Sequence, residues 1–149
     1  MKAMYAHTNL IARDWRRLAR FYEEVFGCEP VPPERDLQGH WVEAGTGVPG
    51  AHIRGIHLAL PGYTGSTPTL EVFQYDEDLD NPPTAPNRPG FAHIAFLVED
   101  VAEARDAVLA AGGRTVGEIV SLEIPGARTI TWVYVTDPEG NLIELQRLS

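Results

Sequence analysis

His7-Thr-Asn-Leu-Ile-Ala-Arg-Asp14 and His93-Ile-Ala-Phe-Leu-Val-Glu-Asp100 are one device written twice. In each stretch a histidine stands seven residues ahead of an aspartate, in a run that alternates and is rich in strand formers. Each aspartate opens a helical pattern. Asp14 caps a run whose apolar positions Trp15, Leu18, Ala19, Tyr22, Val25 and Phe26 fall at helical spacing before Gly27. Asp100 with Glu103 has the form of a capping box, and Val101, Ala104, Val108 and Ala111 make the stripe that ends at Gly112-Gly113. From His7 to Gly27 is 20 residues, and from His93 to Gly113 is also 20. The chain repeats a unit.

Working outward, each half closes on a short strand with a glutamate between apolar residues, Thr69-Leu-Glu71-Val-Phe and Leu142-Ile-Glu144-Leu. The first strand is read over Met4–Ile11 and its counterpart over Phe91–Val98. Further strands are predicted near Gln38–Ala44, Ile53–Leu60, Thr115–Leu122 and Thr129–Thr136, broken by Pro and Gly. The order is strand-helix-strand-strand-strand, twice, an α+β arrangement. His7 to Glu71 spans 64 residues and His93 to Glu144 spans 51, so the first half carries 13 more, assigned to loops between Pro30 and Pro68. Asp76–Gly90, with four prolines, reads as the linker between module one (about 4–75) and module two (about 91–148).

A chain of 149 residues makes one domain, or two fused modules sharing a core. No apolar run is long enough to cross a membrane, and no basic segment followed by an apolar one marks a secretory signal. The single cysteine, Cys28, forbids an internal disulfide; with the missing signal it points to the cytoplasm. A formal net charge of −9, with Lys2 the only lysine, argues against nucleic acid or an anionic membrane as partner. A small anionic substrate stays open, because one local arginine outweighs the mean field.

Side-chain direction selects the candidate site. Successive strand residues face opposite ways, so Leu10 and Ala12 pack under the first helix while His7 and Asn9 face away. Ile94, Phe96 and Val98 back onto the second helix while His93, Ala95 and Leu97 do not. By the same alternation Glu71 and Glu144 oppose their apolar neighbours. Neutral imidazole and carboxylate suit Zn, Ni, Mn, Fe or Co, and four protein donors leave an octahedral ion two open positions. Two carboxylates facing one hollow repel and resist desolvation, at a cost of several kcal/mol unless a cation balances them. His7, Glu71, His93 and Glu144 are therefore the candidate ligands of a divalent metal ion.

The pattern resembles the vicinal oxygen chelate superfamily, which includes glyoxalase I, methylmalonyl-CoA epimerase, extradiol dioxygenases, fosfomycin-resistance enzymes and bleomycin-resistance proteins. His7, Phe21-Tyr22-Glu-Glu-Val-Phe-Gly27, Gly90-Phe-Ala-His93-Ile-Ala-Phe and Asp137-Pro-Glu-Gly-Asn-Leu-Ile-Glu144-Leu carry the likeness. The last is the most specific, since Asp-Pro-x-Gly makes the hairpin turn that sets the register of Glu144. The resemblance implies paired βαβββ modules that curl into an incomplete barrel, and a homodimer. It also implies that His7, Glu71, His93 and Glu144 match the His-Glu-His-Glu set of bacterial glyoxalase I. The epimerases usually place glutamine where Glu71 stands, the bleomycin-binding members lack the ligands, and the fosfomycin enzymes and dioxygenases use two His and one Glu.

The implied chemistry is metal-assisted proton transfer on a small substrate that chelates through neighbouring oxygens. The ion stabilises an enediolate, and Glu144, more than Glu71, serves as the base that moves the proton. Return of the proton to the adjacent carbon is glyoxalase isomerisation of a hemithioacetal; return to the same carbon is epimerisation. The alternative enzyme is an extradiol-type dioxygenase, with His57 as an acid-base residue and Tyr134 as a hydrogen-bond donor. The non-catalytic alternative is a small-molecule or drug binder lined by Trp41, Trp132 and Tyr5. His57, Tyr134, Trp132 and Arg88 are the expected substrate contacts, Arg88 through a substrate carboxylate. Ordinary packing is the competing reading for His57, Tyr134 and Trp132, as solvation is for Arg88. His40 and His52 fall in variable loops with surface exposure as the default. Arg13, Arg16, Arg17 and Arg20 give the first helix a basic face of the solvated kind. Cys28 reads as a buried strand residue, not a nucleophile, since no activating base is placed beside it.

Overall fold

The Asp14 carboxylate accepts the backbone N–H of Arg17 at 3.1 Å and starts helix α1, Trp15–Phe26. Gly27, at φ 68°, ends it in the left-handed region that an L side chain avoids, and Gly27 and Cys28 return N–H bonds to Glu23 and Tyr22. Asp100 does the same for α3, Val101–Ala110, accepting from Ala102 and Glu103 at 2.8 and 2.9 Å. Those two bonds hold its carboxyl below the usual range. The computed structural model describes residues 2–80, 82–126 and 128–149, and the chain divides into two compact units, Met1–Asp80 and Asn81–Ser149.

In the first unit β1 (His7–Ile11), β4 (Thr69–Tyr75), β3 (His52–Ala59) and β2 (Glu29–Gln38) lie side by side in that order. β1 runs parallel to β4, and the other pairs are antiparallel. Helix α1 covers one face. Leu18, Tyr22, Leu58, Leu70 and Val72 are fully buried beneath it, each contributing roughly 1.5–3 kcal/mol of burial. A second helix, α2 (His40–Thr46), buries Val42 with Ala51 and Ile53, against Leu37, Phe73 and Tyr75. Ile53, Phe73 and Tyr75 alternate with the residues under α1, so α2 shields one end of the opposite face.

The second unit orders β5 (His93–Leu97), β9 (Leu142–Leu148), β8 (Thr129–Thr136) and β6 (Arg114–Thr115), with β7 (Val120–Glu123) also pairing β8. β5 is parallel to β9. Val108 of α3 packs with Val133, Val135, Ile143 and Leu145, all fully buried. Gly113 lets helix and sheet approach: a Cβ there would stand 2.3 Å from the Thr136 carbonyl oxygen and 2.5 Å from Val108. Each unit is thus an open sheet with a helix on one face, and the fold is α+β.

Three expectations are corrected. Gln38–Ala44 is not one strand: Gln38 ends β2, and from His40 the chain is helix α2, ended by Gly47 at φ 73°. The strand lies earlier, across Pro30, Pro32 and Pro33, a stretch read as loop. Proline cannot donate to a ladder, but β2 is an edge strand, and its pairing slips between Val31 and Arg35 where the prolines cluster. Thr115–Leu122 is two strands. Thr115 faces Val135 while Val120 faces Trp132, so five steps on one side span three on the other. Val116 and Gly117 both donate to the Tyr134 carbonyl across this bulge. The 13 extra residues of the first half are accordingly absorbed in part by α2 and a longer β2, not by loops alone.

Candidate functional site

Strand register places the four histidine and glutamate side chains in matched pairs. In the first unit His7 stands opposite Thr69 and Asn9 opposite Glu71. In the second His93 stands opposite Leu142 and Ala95 opposite Glu144. Each glutamate is therefore across from the residue two beyond its histidine, on the face away from the helix. His7 Nε2 lies 3.5 Å from Glu71 Oε2, and His93 Nε2 lies 3.0 Å from Glu144 Oε2. The glutamates are similarly shielded, with side chains 12% and 15% exposed. Among the described residues no three or more His, Cys, Asp or Glu side chains form a group able to hold an ion; the structure brings the four together two by two.

The neighbours differ. Glu71 also meets His57, whose Nε2 is 3.1 Å from Oε1, and Asn9, whose amide donates to Oε2 at 3.1 Å. His57 stands opposite Glu71 in the antiparallel ladder. Burial pushes its imidazole below the ordinary range, against the pull of Glu71, and Arg35 and His7 act in the same direction as burial. A neutral ring donates from Nε2 to Glu71 and leaves Nδ1 to face the Thr69 hydroxyl at 3.4 Å. Register puts Tyr134 at the corresponding place beside Glu144. Its ring centroid is 5.0 Å from those of both His93 and Trp132. Burial, then the Glu144 charge, raises the Tyr134 phenol, so it remains a donor at neutral pH.

The turn after β8 explains the placement of Glu144. Asp137 is fully buried, and its carboxylate accepts the backbone N–H groups of Glu139 and Asn141 and the Asn141 amide, all at 2.8–2.9 Å. Gly140, at φ 95°, completes the bend. Thr136 then faces Leu142, which leaves Tyr134 across from Glu144. The sequence profile of the glyoxalase/bleomycin resistance protein/dioxygenase superfamily matches residues 5–145, from ahead of His7 to just past Glu144.

The chain belongs to this superfamily. A probable lactoylglutathione lyase of Vibrio parahaemolyticus is 28% identical over 139 residues, covering 93% of this chain and 86% of the relative. A glyoxalase family protein of Bacillus cereus shares the fold with a TM-score of 0.81 at 20% identity, over 99% of this chain and 96% of the other. A fosfomycin resistance protein of Listeria monocytogenes, solved in complex with Mn(II) and sulfate, aligns at a TM-score of 0.58 and 17% identity, over 99% and 93%.

Within this superfamily member the remaining sequence candidates fall in different settings. Trp132 and Tyr134 share a face with Glu144, since Val133 and Val135 take the buried side. Arg88 is exposed, its backbone N–H closing a turn on Ala85. Trp41 on α2 and Tyr5 are exposed, 65% and 61%. Cys28 is buried, and burial pushes its thiol up to about 11, in keeping with an inert residue. No helix among the described residues is long and apolar enough to cross a membrane. Asn9 and Arg35 were not singled out in the sequence. Asn9 was legible, being on the same face as His7; Arg35 was hidden in a segment read as loop.

Proposed function

We propose that the protein is a divalent-metal-dependent lyase or isomerase of glyoxalase I type, acting as a homodimer on a small substrate with neighbouring oxygens. One observation carries the reading: two His–Glu pairs at the same strand register. The donors fit an ion. In each pair an imidazole nitrogen and a carboxylate oxygen, donor types that a divalent ion takes, stand 3.5 and 3.0 Å apart. His7, Glu71, His93 and Glu144 would hold it, and when bound it supplies Lewis-acid polarisation of the substrate oxygens.

The side chains supply the rest. Glu144, contacted by His93 but, among the described residues, by no amide like that of Asn9, is the base that takes the proton from carbon and returns it. Tyr134, kept protonated, donates to a substrate oxygen. Trp132 offers an apolar wall. Glu71, enclosed by His7, His57 and Asn9, stays a ligand. To test this, the metal-stripped protein is titrated with cobalt and assayed on the hemithioacetal of methylglyoxal. Wild type takes up cobalt and turns over. Glu144→Gln keeps the metal but loses about 10²–10⁴ in kcat. An active Glu144→Gln variant, or a wild type with no cobalt affinity, refutes the reading.

A further inference from the structure

We propose that His57 is a positioning residue for Glu71: its ring, steadied by Thr69, fixes one carboxylate oxygen and leaves the other, beside His7, to a metal ion. The metal half of this rests on the function proposed above; the fixing of Glu71 does not. Antiparallel register sets His57 directly across from Glu71, with Thr69 and Phe73 on the two diagonals. Diagonal neighbours in a ladder are within reach of aromatic and long side chains. His57 Nε2 lies 3.1 Å from Glu71 Oε1, and its Nδ1 faces the Thr69 hydroxyl at 3.4 Å. The ring meets Phe73 edge-on, with centroids 5.7 Å apart. Both ring nitrogens therefore face protein groups. An acid-base residue of the extradiol kind needs one of them turned to the substrate.

The two oxygens of Glu71 are held from different directions. Oε2 accepts the Asn9 amide at 3.1 Å and lies 3.5 Å from His7 Nε2, while Oε1 has His57 as its partner. A carboxylate only accepts, so a neutral His57 carries its proton on Nε2. Nδ1 is then an acceptor, and the Thr69 hydroxyl can turn to donate to it. The side chains of Glu71 and His57 are 12% and 21% exposed, so water is a weak substitute if the bond is lost. In the second unit Tyr134 stands across from Glu144, and its diagonals are Leu142 and Gln146. No hydroxyl occupies the place of Thr69 there. Glu71 is thus the fixed carboxylate and Glu144 the freer one. Outer hydrogen bonds that orient a ligand carboxylate are worth about 10–100-fold in metal affinity.

The experiment records long-range proton–nitrogen spectra of the His57 ring in the full, metal-free chain at alkaline pH, then titrates cobalt by calorimetry. Wild type carries the ring proton on Nε2, and Thr69→Val admits the other tautomer. His57→Leu binds cobalt at least about tenfold more weakly. His57→Gln, whose amide N–H stands near the place of Nε2, restores most of that affinity and keeps kcat on the hemithioacetal at saturating cobalt. A wild-type ring protonated on Nδ1, or a folded His57→Leu that binds cobalt like wild type, overturns the assignment. So does a loss of about 10²–10⁴ in kcat for His57→Gln at unchanged cobalt affinity, which is the mark of a proton-transfer residue. Should His57→Leu not fold, Thr69→Val carries the test: a shifted tautomer with unchanged cobalt affinity overturns it. A wild type without cobalt affinity refutes the metal reading instead, and the tautomer alone then decides whether His57 fixes Glu71.

Discussion

The two units place a glutamate at the same register and hold it there by opposite ends of the sheet. In the second unit the pin is the turn between β8 and β9, where a buried aspartate ties down three N–H groups within five residues. In the first, β3 and β4 are joined by a long Gly- and Pro-bearing connection, closed at its base by Leu60 N–H on the Pro68 carbonyl. There the pin is at the far end. His52 lies between Asp36 and Asp76, at 2.7 and 2.8 Å, and Arg54 also meets Asp76. A repeat can therefore preserve the position of a ligand while replacing the device that positions it.

The largest effect that would break this comparison is at the turn. Asp137→Ala removes the carboxylate and leaves buried N–H groups unsatisfied, at a cost of about 2–4 kcal/mol in unfolding free energy. Chemical denaturation of the variant measures it; a loss below about 1 kcal/mol would mean that the hairpin, not Asp137, sets the register.

Next is the exchange of neighbours around the glutamates. Asn9→Ala frees Glu71 Oε2 from its amide, and Ala95→Asn puts an amide opposite Glu144. On the metal-enzyme reading, cobalt affinity of Asn9→Ala drops about tenfold, in the range of changes beside a ligand. Ala95→Asn keeps the affinity and lowers kcat. Calorimetry and the hemithioacetal assay read both, and identical behaviour of the two variants would erase the proposed division of labour.

The smallest effect is a pH dependence. Hydrogen bonds to Asp36 and Asp76 raise His52, and hydrogen bonding to His52 lowers Asp76. A raised histidine adds stability that is complete below its unfolded value, about 6.5, and fades as pH climbs through the higher folded value. A lowered aspartate adds stability above about 3.8 and loses it on acidification. The melting-temperature gap between wild type and His52→Gln is therefore widest between about pH 4.5 and 6.5 and narrows on either side. A gap that is flat with pH would mean that the bracket around His52 contributes no charge.

Where periodicity and chemistry agreed, the sequence was readable. Asp14, Gly27 and Asp100 announced their helices because capping depends on residue type at one position. The helix-facing sides of β1, β4, β5 and β9 followed from alternation, and with them the face on which each His–Glu pair lies. What could not be read depended on neighbours in space. Pro30–Pro33 form a strand because that strand is at an edge, which only the sheet order reveals. His40–Thr46 is helical because Val42 finds Ala51 and Ile53. His57 was a candidate from the sequence, but its direct partner, Glu71 across the ladder, came only with the register.

One consequence follows from the prolines of β2. Unpaired sheet margins invite other molecules to add a strand, which is how many proteins begin to aggregate. Here the outer strand of the first sheet lacks three main-chain hydrogens, at Pro30, Pro32 and Pro33, and carries four charged residues, Glu29, Glu34, Arg35 and Asp36. An incoming chain meets missing donors and charged side chains along that border, which disfavours strand addition there.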